Sequence, residues 1–395
     1  MPAPRLRARI CGSGRGQGAP GGPGRAVAGL GVALLLLTTV EGGALPVRLE
    51  RRLALMGTWV EVRVEADDRG RALAASELAV RALEAAEARL STWRPGTELD
   101  RLNHAPVGVP QRLSPLLANE LAVARRCSRE TGGSFDPAIG PLVAAWDLRH
   151  RGRRPSAEMR QRAVAASDMA ALELGPGAVA TRRRADLVLE EGAWGKGAGL
   201  VAAIAALSAA AGVRTAALDL GGQVAVWSRQ AGSASWSVPV ADPRRRDRPV
   251  LAVTLTGGSL STSGNSERSV EVDGERFGHI LDPASGMPVA DFGSLSVWHA
   301  DALVADCLST GLYVMGPERA LAWAAAHPGV EVLVLRPARG RLQALTTPGL
   351  RGRLVPMAAD LEIGSVPRPG RGRPQTGRAV APAAGRTGRD GARAE

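Results

Sequence analysis

Asp306 and Thr310 stand four residues apart in Ala305-Asp306-Cys307-Leu308-Ser309-Thr310, inside a mostly apolar stretch with helical spacing. On a helix that interval puts a carboxylate and a hydroxyl on one face. With a carbonyl oxygen beside them they make a hard, oxygen-only set, the kind magnesium takes while sharing phosphate oxygens. A surface Asp with Thr310 bonded back onto helix carbonyls fits the same spacing. A second segment, Glu190-Glu191-Gly192-Ala193-Trp194-Gly195-Lys196-Gly197, leads from an apparent strand into a helix. Glycines let backbone amides approach an anion, and a helix N-terminus favours negative charge. Lys196 would add a point charge for phosphate. No Ser or Thr follows the lysine, so this is not a P-loop, and the pattern by itself favours a plain strand-to-helix turn with a solvated Lys.

His279 closes a predicted strand ahead of the turn Asp282-Pro283-Ala284-Ser285-Gly286. It suits a general base or a satisfied core histidine. The other four histidines are scattered without metal spacing. Residues 260–264 and 132–137 are small-residue loops that could wrap a ligand or be turn chemistry alone. The chain has no nucleophile elbow, no H-E-x-x-H and no dinucleotide fingerprint after a strand, which argues against hydrolase, zinc-protease and Rossmann readings.

The elements that must hold these groups follow from periodicity. Residues 53–65 alternate like a half-buried strand, and 69–90 and 113–131 are helical, the latter stopped by Gly132-Gly133. Further helices are predicted over 156–166, 195–211, 302–315 and 317–326. Strands are predicted over 184–190, 216–220, 224–228, 235–240, 250–255 and 295–298, with 330–335 closing the fold, and a Ser/Thr/Gly turn over 259–264. Residues 269–272 and 276–281 read as a hairpin across Asp273-Gly274. Strands and helices are interspersed without strict alternation, so the expected class is α+β, one compact domain over 47–364 with mixed sheets and packed helices.

The chain has 395 residues, 45% hydrophobic and 22% charged, enough to bury a sizeable core. Its net charge of +12 sits in the ends: residues 1–25 and 365–395 each carry +5, leaving +2 for the rest. A nucleic-acid binder would place its basicity on a folded face, so none is expected as a partner. Of 50 basic side chains, Lys196 is the one lysine. Three cysteines are too few and too far apart for a disulfide scaffold. Residues 1–46 read as a basic leader with a secretory signal, whose apolar run of about 15 residues is short for a membrane span. Residues 365–395 read as a disordered Arg/Pro/Gly tail, compatible with peripheral membrane association.

Taken in order, these segments resemble the ApbE family, the FAD:protein FMN transferases, from about residue 56 to 335. The matching pieces are Met56-Gly57-Thr58; Leu90-Ser91-Thr92-Trp93 with Glu98 to Asn103; Gly133-Ser134-Phe135-Asp136-Pro137; Gly195-Lys196-Gly197; Asp219-Leu220-Gly221-Gly222; Thr262-Ser263-Gly264; His279-Ile280-Leu281-Asp282-Pro283 with Gly286-Met287-Pro288; and Ala305-Asp306 with Thr310. The resemblance implies magnesium-dependent transfer of the FMN half of FAD to a threonine hydroxyl of an acceptor protein, with release of AMP. It implies that Met56, Trp93, Ser134, Phe135 and Asp136 belong to the flavin site. Glu190, Lys196 and Ile280 correspond to further FAD contacts, Ile280 within a strand. Asp306, Thr310 and the carbonyl of Ala193 correspond to magnesium ligands, and Ser309 falls where some members carry an extra acidic ligand. His279 matches a histidine that assists proton removal. The implied partners are FAD and an envelope redox protein, and the implied location is the periplasm or the outer face of the inner membrane. The chain departs from the family pattern at Glu190-Glu191-Gly192-Ala193, at Ala198 and at Gln223. An FAD pyrophosphatase or a non-catalytic flavin carrier would share most of these residues.

Overall fold

The computed structural model describes residues 45–266, 269–272, 274–338 and 340–365. The apolar leader segment and the Arg-rich tail beyond 365 lie outside the described residues. The chain opens with β1 (Val47–Leu55), β2 (Thr58–Ala66), α1 (Arg69–Leu90) and α2 (Glu98–His104). There follow β3 (Gln111–Arg112), α3 (Pro115–Glu130), α4 (Gly140–Ala145), α5 (Ala157–Ala166), β4 (Leu172–Gly175), β5 (Val179–Arg182) and α6 (Gly195–Ala209). The middle is strand-rich: β6 (Val213–Leu220), β7 (Gln223–Ser228), β8 (Trp236–Asp242), β9 (Arg245–Leu255), β10 (Gly258–Gly264), β11 (Ser269–Val272), β12 (Glu275–Gly278) and β13 (Ser294–His299). The last part holds α7 (Ala302–Met315), α8 (Pro317–Ala326), β14 (Glu331–Ala338), β15 (Arg341–Thr346), α9 (Pro348–Arg351), β16 (Leu354–Pro356) and β17 (Leu361–Ser365).

Nine strands form one sheet in the order β1-β2-β6-β7-β10-β13-β14-β15-β17, antiparallel except for the parallel pair β15–β17. The two-residue side-chain period sends alternate residues to its two faces. On β6, Ala216, Leu218 and Leu220 pack with α1 and α6, while Ala217 faces the small sheet β16-β9-β8. On β14, Val332 and Val334 join the core built around α3, α7 and α8, while Leu333 and Leu335 face that small sheet. Helices thus cover one face and a second sheet covers the other, an α+β arrangement as expected.

Local signals account for the helices that matter. Asp68 accepts the amide of Arg71 at 2.8 Å to start α1, whose Ala72, Ala75, Ala79, Leu83, Ala86 and Leu90 bury one stripe. Asp301 accepts the amides of Leu303 and Val304 to start α7, and Gly316 ends it at φ 83°.

Several expected elements differ. Residues 53–65 are not one strand: Met56 and Gly57, at φ 50° and 69°, form a two-residue turn between β1 and β2. Residues 184–190 join no ladder: Ala185 and Asp186 form a turn, and the backbone groups of Val188, Leu189 and Glu190 are taken singly by Gly140, Asn103 and Pro137. Residues 259–264 are a strand rather than a turn, paired with β7 and β13. The hairpin ladder ends at Gly278, so Ile280 lies beyond it and not in a strand. Residues 330–335 do not close the fold, since β15, β16 and β17 follow.

Candidate active site

The Gly195-Lys196-Gly197 start of α6 crosses α7 at its Asp306 turn. A Cβ on Gly197 would lie 2.4 Å from the carbonyl oxygen of Ala302 and 2.8 Å from Cβ of Asp306, so only glycine permits this approach. The Gly197 amide donates to Asp306 Oδ2 at 2.8 Å, and the Ser261 hydroxyl donates to Oδ1 at 3.3 Å. Asp306 is 2% exposed. Ser309 bridges Ser261 and Ser263 of β10 at 3.0 Å each and donates to the Asp306 carbonyl oxygen. The glycines therefore serve helix packing first, and one of their amides is already given to a carboxylate.

Thr310 sits on the same face one turn along α7, half-buried, with its hydroxyl 3.5 Å from the Asp306 carbonyl oxygen. The 3-10 turn Glu191–Ala193, which carries Ala193, packs against both α6 and α7. Among the described residues no three His, Cys, Asp or Glu cluster as a metal site. The buried Asp306 carboxylate and the Thr310 hydroxyl are oxygen donors, a chemistry that fits a hard cation such as magnesium. Lys196 is half-buried beside it and makes no ion pair among the described residues. Met56 reaches in from the β1–β2 turn: its sulfur lies 3.1 Å from where a Gly199 Cβ would be. The glycine column of α6 is thus gripped by Met56 on one side and by α7 on the other.

The second wall is the loop after α1. Thr92 donates its hydroxyl to Glu190 at 3.2 Å and to Glu191, and its amide donates to Glu191 at 3.1 Å. Arg149 donates to the Thr92 carbonyl at 2.8 Å, to the Thr92 hydroxyl and to Glu190, and lies 4.9 Å over the Trp93 ring. Trp93 is 57% exposed. Burial raises the Glu190 carboxyl from 4.5 to about 7, helped by Glu191 and opposed by Arg149 and Thr92. Between those values the folded chain binds more protons than the unfolded one. The stability of neutral Glu190 is then fully present below pH 4.5 and lost as pH rises through 7. Urea unfolding at pH 5 and pH 8 should show that loss, up to roughly 3 kcal/mol, and Glu190→Gln should remove it.

Other expected residues have different surroundings. The Phe135 side chain is 1% exposed in the core under α7, against Gly311, and presents no surface to a ligand. Asp136 braces its own loop, accepting the amides of Ala138 at 2.8 Å and Met169 at 3.1 Å. Burial raises its carboxyl above the usual range. Ser134 is half-exposed beside them. Ile280 is buried in the main core, its carbonyl accepting the Val289 amide at 2.9 Å. His279 is half-buried just past β12, where Gly278 is pressed onto Asn265 at the exit of β10. Ser261 and Ser263 of the 260–264 segment also belong to the site, and Arg149 completes it without a motif of its own to announce it. A surface cavity of about 640 Å³, lined by Arg48, Arg214, Arg229 and Trp236 among others, lies at the far end of β2 and β6. Two of its cations are committed, Arg214 to Asp67 and Arg229 to the carbonyls of Ala210 and Val213.

The profile of the ApbE family matches residues 56–334. The FAD:protein FMN transferase of Treponema pallidum is 32% identical over 333 residues, covering 78% of this chain and 91% of that protein. That of Rhodobacter capsulatus is 37% identical over 271 residues, covering 66% of this chain and half, 50%, of its relative. The apo flavinyl transferase ApbE of Pseudomonas stutzeri superimposes with TM-score 0.67 at 24% identity, covering 78% of this chain and 97% of that one. The ApbE protein of Thermotoga maritima gives TM-score 0.68 at 24% identity, covering 73% and 94%. At those identities the likeness of the two structures is one of fold. The chain belongs to the ApbE family.

Proposed function

We propose that the chain transfers the FMN half of FAD to a threonine hydroxyl of an acceptor protein and releases AMP. The observation that carries this is the buried Asp306 carboxylate under the Gly197 amide, next to Lys196 at the start of α6. The names of its relatives supply the substrate class. In the reaction the threonine oxygen bonds to the FMN phosphorus, the pyrophosphate P–O bond breaks, and AMP leaves with the electron pair. Such transfers depend on positioning and charge stabilisation. Lys196 would hold a phosphate oxygen. Trp93 offers an aromatic surface to the flavin. His279 would take the threonine proton at an imidazole nitrogen. Magnesium, held by Asp306, Thr310 and the Ala193 carbonyl, would offset negative charge on the pyrophosphate. We place the reaction outside the cytoplasm, with an envelope redox protein as acceptor, in keeping with the leader read from the sequence.

The test is to incubate the full chain with FAD, magnesium and a candidate envelope flavoprotein, following AMP and the acceptor mass. A gain of one FMN supports the reading. AMP with free FMN and an unlabelled acceptor would replace it with a pyrophosphatase, and bound but unchanged FAD with a carrier. His279→Ala should lower kcat by about 10²–10⁴-fold and change KM for FAD by less than ~3-fold. An unchanged kcat would remove His279 from proton transfer.

A further inference from the structure

Three chain segments meet at one guanidinium. Arg149 lies in the turn after α4, Thr92 and Trp93 after α1, and Glu190 and Glu191 before α6. Both glutamates converge on Thr92, which places two carboxylates around one hydroxyl. Two like charges at one point repel unless a cation sits with them. Arg149 supplies it, with its side chain 27% and that of Glu190 11% exposed. The same guanidinium bonds to the Thr92 carbonyl and covers the Trp93 indole.

Trp93 has no core to hold it. More than half of it is exposed, and the ring contact recorded for it is Arg149. A ring so placed turns about its side-chain torsions unless a planar neighbour fixes it. Guanidinium is flat, stacks on aromatic faces and donates in a fixed fork, which an ammonium cannot do. With one face occupied by Arg149, the remaining indole surface is left for a planar ligand. The Glu-Glu pair is where the chain departs from the family pattern, and Arg149 pairs with its first member, Glu190.

We infer that Arg149 is a positioning residue for the flavin: it ties the Thr92–Trp93 loop to Glu190 and sets the tilt of Trp93 against the isoalloxazine ring. This rests on the flavin reading above. It acts through Trp93, and the test is built on that dependence. FAD fluorescence quenching and steady-state AMP release would be measured for the wild type, Arg149→Met, Arg149→Lys, Trp93→Ala and the Arg149→Met/Trp93→Ala double variant. Arg149→Met should raise Kd and KM for FAD about tenfold, with kcat changed less than ~3-fold and quenching reduced. Arg149→Lys keeps the charge and should not restore binding. The double variant should bind FAD no more weakly than Trp93→Ala alone. Arg149→Met binding like the wild type, or a double variant with independent, multiplied losses, would overturn the inference alone. A wild-type chain that neither binds nor quenches FAD would overturn the flavin reading and the inference together. Arg149→Lys folds with the charge in place, so it decides the matter should Arg149→Met be unstable.

Discussion

Asp306→Ala is expected to abolish FMN transfer, with a loss of at least ~10³-fold. The carboxylate is 2% exposed and receives the Gly197 amide at 2.8 Å. Its removal takes away the one negative charge of the oxygen set. It also leaves a buried amide without its acceptor, costing about 1–3 kcal/mol. Asp306→Asn separates the two effects, because its side-chain oxygen can still accept from Gly197 while the charge is gone. Thermal melts should place Asn near the wild type and Ala below it. Acceptor mass spectra should show neither variant labelling. Wild-type labelling by Asp306→Asn would mean that the charge is not used.

Gly197→Ala is the second large effect, and it acts through the backbone. The added methyl would meet the Ala302 oxygen at 2.4 Å, Leu303 Cα at 2.7 Å and Asp306 Cβ at 2.8 Å. None is the end of a flexible side chain, so α6 and α7 must move apart. A cost of about 3 kcal/mol or more is expected, with transfer lost as the crossing opens. Gly257→Ala is the control: nothing lies within 4 Å of its Cβ position, and its melt should stay near the wild type. A Gly197→Ala melt unchanged in temperature would mean that the crossing is looser than these distances state.

What the sequence made legible follows from local physics. Helices 302–315 and 317–326 are readable to the residue because Asp301 caps the first, Gly316 ends it and Pro317 opens the second. Strand β10 hides because Gly258-Ser259-Leu260-Ser261-Thr262-Ser263-Gly264 shows no apolar–polar alternation. Its hydroxyls are instead absorbed by neighbours, Thr262 by Ser296 at 2.7 Å, and Ser261 and Ser263 by Ser309. Residues 184–190 mislead in the opposite way, having strand composition but only single bonds to loops. Asp306 and Gly197 are each visible as residues of interest, but 109 positions separate them and no local signal pairs them. The resemblance implies Phe135 at the flavin, yet the ring is drawn under Gly311 by burial, which no motif in its loop signals. Arg149 is lost in the background of 49 arginines, which gives no single one distinction.

The Gly197–Asp306 bond bears on how freely the carboxylate can turn. Both of its oxygens accept hydrogen bonds, Oδ2 from the Gly197 amide on α6 and Oδ1 from the Ser261 hydroxyl on β10. A carboxylate held at both ends from two different elements keeps one plane without waiting for a ligand to order it. Its orientation is therefore written in the crossing of α6, α7 and β10 rather than in the side chain's own torsions.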